Sequence, residues 1–214
     1  MISGPEHLDW LRARRSIRAF EARAIDRAVL QRLLEAATTA PSSTNRQPWR
    51  FAVVTGAEQR RAITEAVRAR TEAMKAVIRK SHHAEDFGSY ADFFFEPLQT
   101  AAAIVIPQYR EYPDLIAQLI ESGGGEATAT PGDMQAELCS TSAAVMALLL
   151  QAHAEGLGAC WMAGPMVARD ELHAMLRIRA PWQMVGAVAL GYAAERPEAR
   201  PRKAVDNVVE WFET

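Results

Sequence analysis

The chain has 214 residues, is 49% apolar and 23% charged, and carries a formal net charge of −2 at pH 7. That length buries a real core and fits one domain over residues 1–214, and the near-neutral charge gives no reason to expect nucleic acid or an anionic membrane as a partner. The longest apolar run, Ala143–Leu150, falls far short of the roughly 20 residues of a membrane span, and the first ten residues carry Glu6, His7 and Asp9 in place of an apolar leader, so a cytoplasmic protein is expected.

The charge is unevenly placed. Residues 11–70 hold thirteen arginines against five carboxylates, which suits a bound anion in this third of the chain or, more simply, a solvated basic face. Within it, Arg14-Arg15-Ser16-Ile17-Arg18 offers cations and a hydroxyl, the donors that hold a phosphate. Asp26 is placed as the N-cap of a helix whose Val29, Leu30, Leu33, Leu34 and Ala37 recur at helical spacing and which must end before Pro41. Pro41-Ser42-Ser43-Thr44-Asn45-Arg46-Gln47-Pro48-Trp49 is a polar, amide-rich turn leading into a predicted strand, Arg50–Val54. Read together, the two stretches suggest a nucleotide-like cofactor held without a glycine-rich loop.

A second helix is predicted from Ala57 towards Lys80, with Ile63, Val67, Met74, Val77 and Ile78 as its stripe; His82 and His83 read as its solvent-facing end. Ala101–Pro107 reads as a buried strand, and residues 108–133 as an aperiodic loop with Gly123-Gly124-Gly125 and Pro131-Gly132. A third helix over about Asp133–Glu155 is apolar nearly all round, which predicts a central helix or one in a subunit interface; Gly156 and Gly158 stop it. Ala159–Met162 reads as a short strand, Asp170–Leu176 as a short helix and Met184–Tyr192 as a core strand. Ala194–Lys203 is rich in Pro and Arg, and the apolar Val208, Val209, Trp211 and Phe212 after it are expected to dock on this subunit or a partner. Cys139 and Cys160 have no metal spacing and are expected as small buried residues, in a reducing compartment. The alternation of helices and strands predicts one layered α/β domain.

No nucleophile elbow, HExxH spacing, GxGxxG after a strand or paired carboxylates stand out, so neither a metal nor a catalytic side chain is expected and a cofactor that brings its own reactivity is favoured. Four segments, in order, resemble the nitroreductase superfamily of FMN-dependent oxidoreductases: Arg14–Phe20, Ala40–Trp49, Gly156–Met162, and Val188–Tyr192 followed by Arg200-Pro201-Arg202-Lys203. The resemblance implies a nitroreductase-like α/β (α+β) fold, a central mixed sheet flanked by helices, in a domain-exchanged homodimer with FMN at the subunit interface and NADH or NADPH as reductant. By the same resemblance Arg14 and Ser16 meet the FMN phosphate, Arg200 and Arg202 close over it, and Arg18 lies by the pyrimidine edge of the flavin, where a cation stabilises charge that develops on reduction. Arg15 belongs to the segment but is expected to point away. Pro41, Ser42, Ser43 and Asn45 reach the flavin from the second subunit, with Gln47 and Trp49 more structural. The backbone of Trp161, Met162, Ala163 and Gly164 approaches flavin N5; many relatives carry Glu where this chain has Ala163.

The reaction so implied is ping-pong hydride transfer from NAD(P)H through the flavin to a small nitroaromatic, quinone or enone acceptor. Alternatives within the fold are a flavin-fragmenting enzyme and a reductive dehalogenase; the dehalogenase lid uses Glu, Tyr and Lys, and residues 108–133 hold Glu111, Tyr109 and Tyr112 but no Lys. A flavin-binding protein without turnover is the alternative outside enzymes.

Overall fold

The computed structural model describes residues 3–80, 90–126 and 134–213. Its first helix, α1 (Gly4–Ala13), was not anticipated, although the sequence carries its signal. The Ser3 hydroxyl accepts from the Glu6 N–H and the Glu6 carboxylate accepts from the Ser3 N–H at 2.9 Å, a reciprocal capping box with Pro5 in the first turn. Next come α2 (Arg27–Thr38), β1 (Trp49–Val54) and α3 (Ala57–Ile78), each within two residues of its expected bounds. Asp26 does sit at the N-cap of α2, but its side chain makes no capping bond; its backbone carbonyl accepts from Val29 and Leu30 instead.

A 3-10 turn (Tyr90–Phe94) and a short helix α4 (Glu96–Thr100) precede β2 (Ala103–Arg110). The segment expected to be an aperiodic loop is therefore strand as far as Arg110, and it then forms a helix that was not anticipated, α5 (Leu115–Ser122); α4 was likewise unanticipated. Asp114 starts α5 by accepting from the N–H groups of Ile116 and Ala117. The histidines at 82 and 83 and the Pro131–Asp133 stretch lie outside the described residues. The long helix α6 (Ala136–Ala154) is followed by β3 (Gly158–Met162), a 3-10 turn (Gly164–Ala168), α7 (Arg169–Leu176), β4 (Trp182–Met184) and β5 (Ala187–Gly191). Instead of the single core strand expected over 184–192, the chain breaks at Gly186, whose φ of +85° lies in the left-handed region.

The strands run in the order β1-β2-β5-β3, with β4 paired to the far end of the β2 edge that holds β5. All pairings among these five strands are antiparallel. Among the described residues the parallel contribution to the sheet is one bridge, Ser16 to Ala159, outside the named strands. Alternate side chains point to opposite faces and build two cores. Ile104, Ile106, Ala189, Cys160 and Met162 meet α3, α4 and α7 on one face. Ala103, Val105, Val188 and Leu190 meet α2 and α6 on the other, where Leu33 and Leu148 are fully buried and each contributes about 2 kcal/mol.

α6 buries one face, Ala144, Val145, Leu148 and Ala152, and leaves Met146 exposed in the single chain. Cys139 in its second turn is exposed, contrary to expectation, while Cys160 is buried; both thiols are free. Trp211 and Phe212, expected to dock on this subunit or a partner, are 75% and 89% exposed and are not packed into either core among the described residues. No helix among the described residues is long and apolar enough to cross a membrane.

One ion pair ties α2 to the end of α6. The Arg32 guanidinium forks onto both carboxylate oxygens of Glu155 at 2.7 Å. That fork, aided by Gln151, holds the Glu155 carboxyl down at about 2. A depressed carboxyl stabilises the fold above its unfolded pKa, and the contribution is lost as pH falls through the folded value. The stability difference between the wild type and Glu155→Gln is therefore expected to be constant near neutrality and to disappear between about pH 4.5 and 2. Urea unfolding at stepped pH checks this, and a difference that persists at pH 2 would contradict it.

Candidate functional site

The basic segment leaves the C-terminus of α1 and runs along β3. The Ile17 N–H donates to the Ala159 carbonyl at 3.0 Å, and the Ile17 side chain enters the core, so Ser16 and Arg18 face outward by alternation. Close approach is allowed by Gly158, where a Cβ would stand 2.8 Å from Ile17. α1 itself is anchored on α6: Trp10 lies against the His153 ring with centroids 5.0 Å apart, and His153 Nε2 is 3.2 Å from the Trp10 carbonyl. Arg15 turns back to donate to the Arg12 and Arg14 carbonyls, which closes the helix end.

The same segment is stitched to the chain that follows β5. Phe20 bridges Ala193, Glu21 N–H donates to the Tyr192 carbonyl at 2.9 Å, and Ala194 N–H donates to the Ala19 carbonyl at 3.0 Å. Gly191 is small because Phe20 packs on it, 2.8 Å from where a Cβ would be, which makes it a packing glycine. The Glu195 carboxylate accepts from the N–H groups of Arg18 and Ala19. These contacts carry Pro197–Arg202 alongside Arg14–Arg18, and together they line a pocket of about 690 Å³. Arg12, Arg14, Arg15, Ser16, Arg18, Arg200 and Arg202 all face it, with Glu198 its one carboxylate. A cluster of guanidinium forks around a hydroxyl is a donor set for a phosphate dianion, and residues separated by nearly the whole chain supply it. The structure thus unites the first and last groups of sequence-predicted residues. Arg12 and Glu195 were missed; Glu195 was legible only as a carboxylate inside a basic tail.

The turn over residues 41–47 stands apart, and none of it lines that pocket. Thr44, Asn45 and Gln47 have φ of 51°, 55° and 48°. Left-handed backbone at three non-glycine residues costs about 1–3 kcal/mol each, and such strain concentrates at sites that bind or react. Local bonds hold it: Gln47 N–H donates to the Ser42 hydroxyl at 3.0 Å, Ser43 N–H to the Ser140 hydroxyl at 3.3 Å, and Arg46 pairs with Glu137 at 3.1 Å. Gln47 also donates to the Asn45 side chain, which fits a structural role. Ser43, Asn45 and Gln47 remain exposed, with Pro41 beside them and Ser42 half-buried.

Residues 161–164 end β3. The Trp161 indole N–H donates to the Val185 carbonyl at 2.8 Å, Met162 is buried and Ala163 is exposed. At Gly164 a Cβ would lie 2.6 Å from the Phe94 ring, so packing alone demands glycine there. Phe93, the preceding residue of that turn, places its ring centroid 5.8 Å from the Arg18 guanidinium carbon. The Tyr90–Phe94 turn therefore spans from Arg18 to Gly164.

Burial pushes the Cys160 thiol up, the opposite of what a thiolate nucleophile needs. Among the described residues no three His, Cys, Asp or Glu side chains gather to hold a metal.

A "NADH dehydrogenase" of Thermus thermophilus is 29% identical over 200 residues, 92% of each chain. A BluB-like flavoprotein from Clostridium difficile has the same fold at a TM-score of 0.83 and 20% identity, over 97% of this chain and 99% of its own. A nitroreductase from Desulfitobacterium hafniense, solved with bound FMN, matches at a TM-score of 0.69 and 17% identity, over 96% and 97%. The family model described as "Nitroreductase family" matches residues 11–192, from the basic segment to the end of β5, and the chain belongs to that family.

Proposed function

We propose that this chain is an FMN-dependent NAD(P)H oxidoreductase acting as a homodimer, with a nitroaromatic, quinone or enone as electron acceptor. The observation that carries the reading is the convergence of Arg14, Ser16, Arg18, Arg200 and Arg202 on one pocket in a member of this family. FMN, when bound, supplies the chemistry: it takes hydride from NADH or NADPH and passes two electrons to the acceptor. The protein's part is to bind and orient. Arg14, Ser16, Arg200 and Arg202 hold the phosphate. With FMN bound, Arg18 would bring positive charge beside the ring system, and the backbone of residues 161–164 would approach it.

The second subunit supplies Pro41, Ser42, Ser43 and Asn45. The left-handed backbone of this turn and the exposed Ser43 and Asn45 support that reading, and the exposed Trp211 and Phe212 suit an apolar contact between subunits. Residues 1–214 act as one domain in this arrangement.

The test uses purified protein loaded with FMN. Oxidation of NADH or NADPH is followed with menadione as acceptor, and mass in solution is measured by sedimentation. A dimer that turns over steadily is expected. A yellow protein that neither nucleotide reduces would sink the reductase reading in favour of a carrier, and a monomer that holds FMN tightly would refute the role given to residues 41–45.

A further inference from the structure

We infer that the cavity between α3 and α4 is a second anion site, which takes a phosphate dianion, free or as the head of a small phosphomonoester. It is separate from the pocket assigned to FMN and does not depend on that assignment.

The arginine excess of residues 11–70 is not used up by the FMN pocket. Arg12, Arg14, Arg15 and Arg18 face that pocket, while Arg32, Arg46 and Arg70 are paired with carboxylates elsewhere. Arg60, Arg61 and Arg68 converge instead on another cavity, of about 310 Å³, which shares no residue with the first. Small-molecule sites run from about 300 to 1,000 Å³, so this one suits a small ligand.

The cavity is built from two elements. Arg60, Thr64 and Arg68 stand four residues apart and so line one face of α3, with Arg61 beside them. Leu98 and Gln99 of α4 complete the lining. Thr64 and Leu98 are 5% and 1% exposed, which gives the cavity a packed floor. Arg60 is half-buried, and one of its terminal nitrogens donates to the Thr55 and Ala102 carbonyls, each at 2.6 Å. Its guanidinium is thereby fixed in place, and among the described residues it has no carboxylate partner; nor has Arg61. Arg68 is paired with Glu65. The lining thus holds three guanidinium groups and no carboxylate, and Glu65 offsets one of them. An excess of two positive charges matches a dianion better than a single carboxylate, and planar guanidinium forks suit the oxygens of a phosphate. A concave site with a packed floor favours a small anion over a polymer, and the chain's net charge of −2 gives no general attraction for polyanions.

The experiment titrates FMN-loaded protein, its first pocket filled, with inorganic phosphate and with glycerol 3-phosphate at low ionic strength, followed by calorimetry. Saturable binding of one anion per chain is expected, with a Kd of about 1 mM or below. Arg61→Ala and Arg68→Ala, at exposed positions of a helix that alanine favours, should fold and should each weaken binding about tenfold. Arg27→Ala removes the same charge from an exposed position on α2 outside both cavities and should leave the affinity unchanged. Binding of both probes supports a phosphomonoester ligand, and binding of inorganic phosphate alone supports a free ion. Heat that grows without saturation would mean an adventitious ion only. Equal weakening by Arg27→Ala would mean diffuse attraction to charge, and binding untouched by Arg61→Ala and Arg68→Ala would put the anion elsewhere; any of these three results overturns the inference. Failure of the flavin reading is distinct, because it would appear as protein that cannot be loaded with FMN or that NAD(P)H does not reduce.

Discussion

Arg14→Ala is expected to purify without yellow colour. Arg14 faces the pocket together with Ser16, Arg200 and Arg202, and its backbone is secured by the α1 end and by the bridge from Ser16 to β3. Deleting the side chain should therefore remove donors without moving the site. A hydrogen bond to a charged group contributes about 1.5–3 kcal/mol, so FMN affinity should fall about 10- to 100-fold. Arg14→Lys should recover only part of this, since an ammonium cannot supply the two parallel donors of a guanidinium. Quenching of FMN fluorescence during titration measures both. Stoichiometric FMN in the alanine variant would remove Arg14 from the phosphate site.

The second large effect is on stability. At Gly186 an added Cβ would meet the Met162 carbonyl oxygen at 2.3 Å, and φ is already +85°. The obstacle is backbone, so it cannot swing aside as a side-chain end could. The end of β3 would have to move, and with it the bond from Trp161 to Val185. Gly186→Ala should cost about 3–5 kcal/mol in urea unfolding and shift the Trp161 emission. Gly124 makes the control: its φ is +79°, but nothing lies within 4 Å of its Cβ position. Gly124→Ala should cost only the strained backbone, about 1 kcal/mol. Equal losses in the two variants would show that the Met162 contact does not matter.

Much of the secondary structure was legible because it is written in local periodicity. α2, α3 and α6 carry apolar residues at helical spacing, and Pro41 and Gly156 punctuate two of them. α1 was missed because its signal is a capping box, Ser3 with Glu6, with no apolar stripe; none of its residues is buried. α5 was missed because its apolar residues Leu115, Ile116, Leu119 and Ile120 lie in a stretch dominated by turn-forming neighbours, although Asp114 announces its start. The 184–192 strand was read as continuous because its apolar run hides the break; only the contact with Met162 shows why Gly186 must turn there.

The site divides in the same way. Sequence by itself determined the basic inventory of this pocket, since an arginine- and hydroxyl-rich segment and a basic tail are properties of a line of residues. Tertiary structure alone decided that these two ends form one pocket. That depends on Ile17 against Gly158, Phe20 against Gly191, and Glu195 on the Arg18 and Ala19 amides. Each contact joins residues more than 140 positions apart, and no local pattern encodes such pairing. It likewise decided that Arg60, Arg61 and Arg68 border a cavity with Leu98 and Gln99, because that follows from where α4 comes to lie against α3.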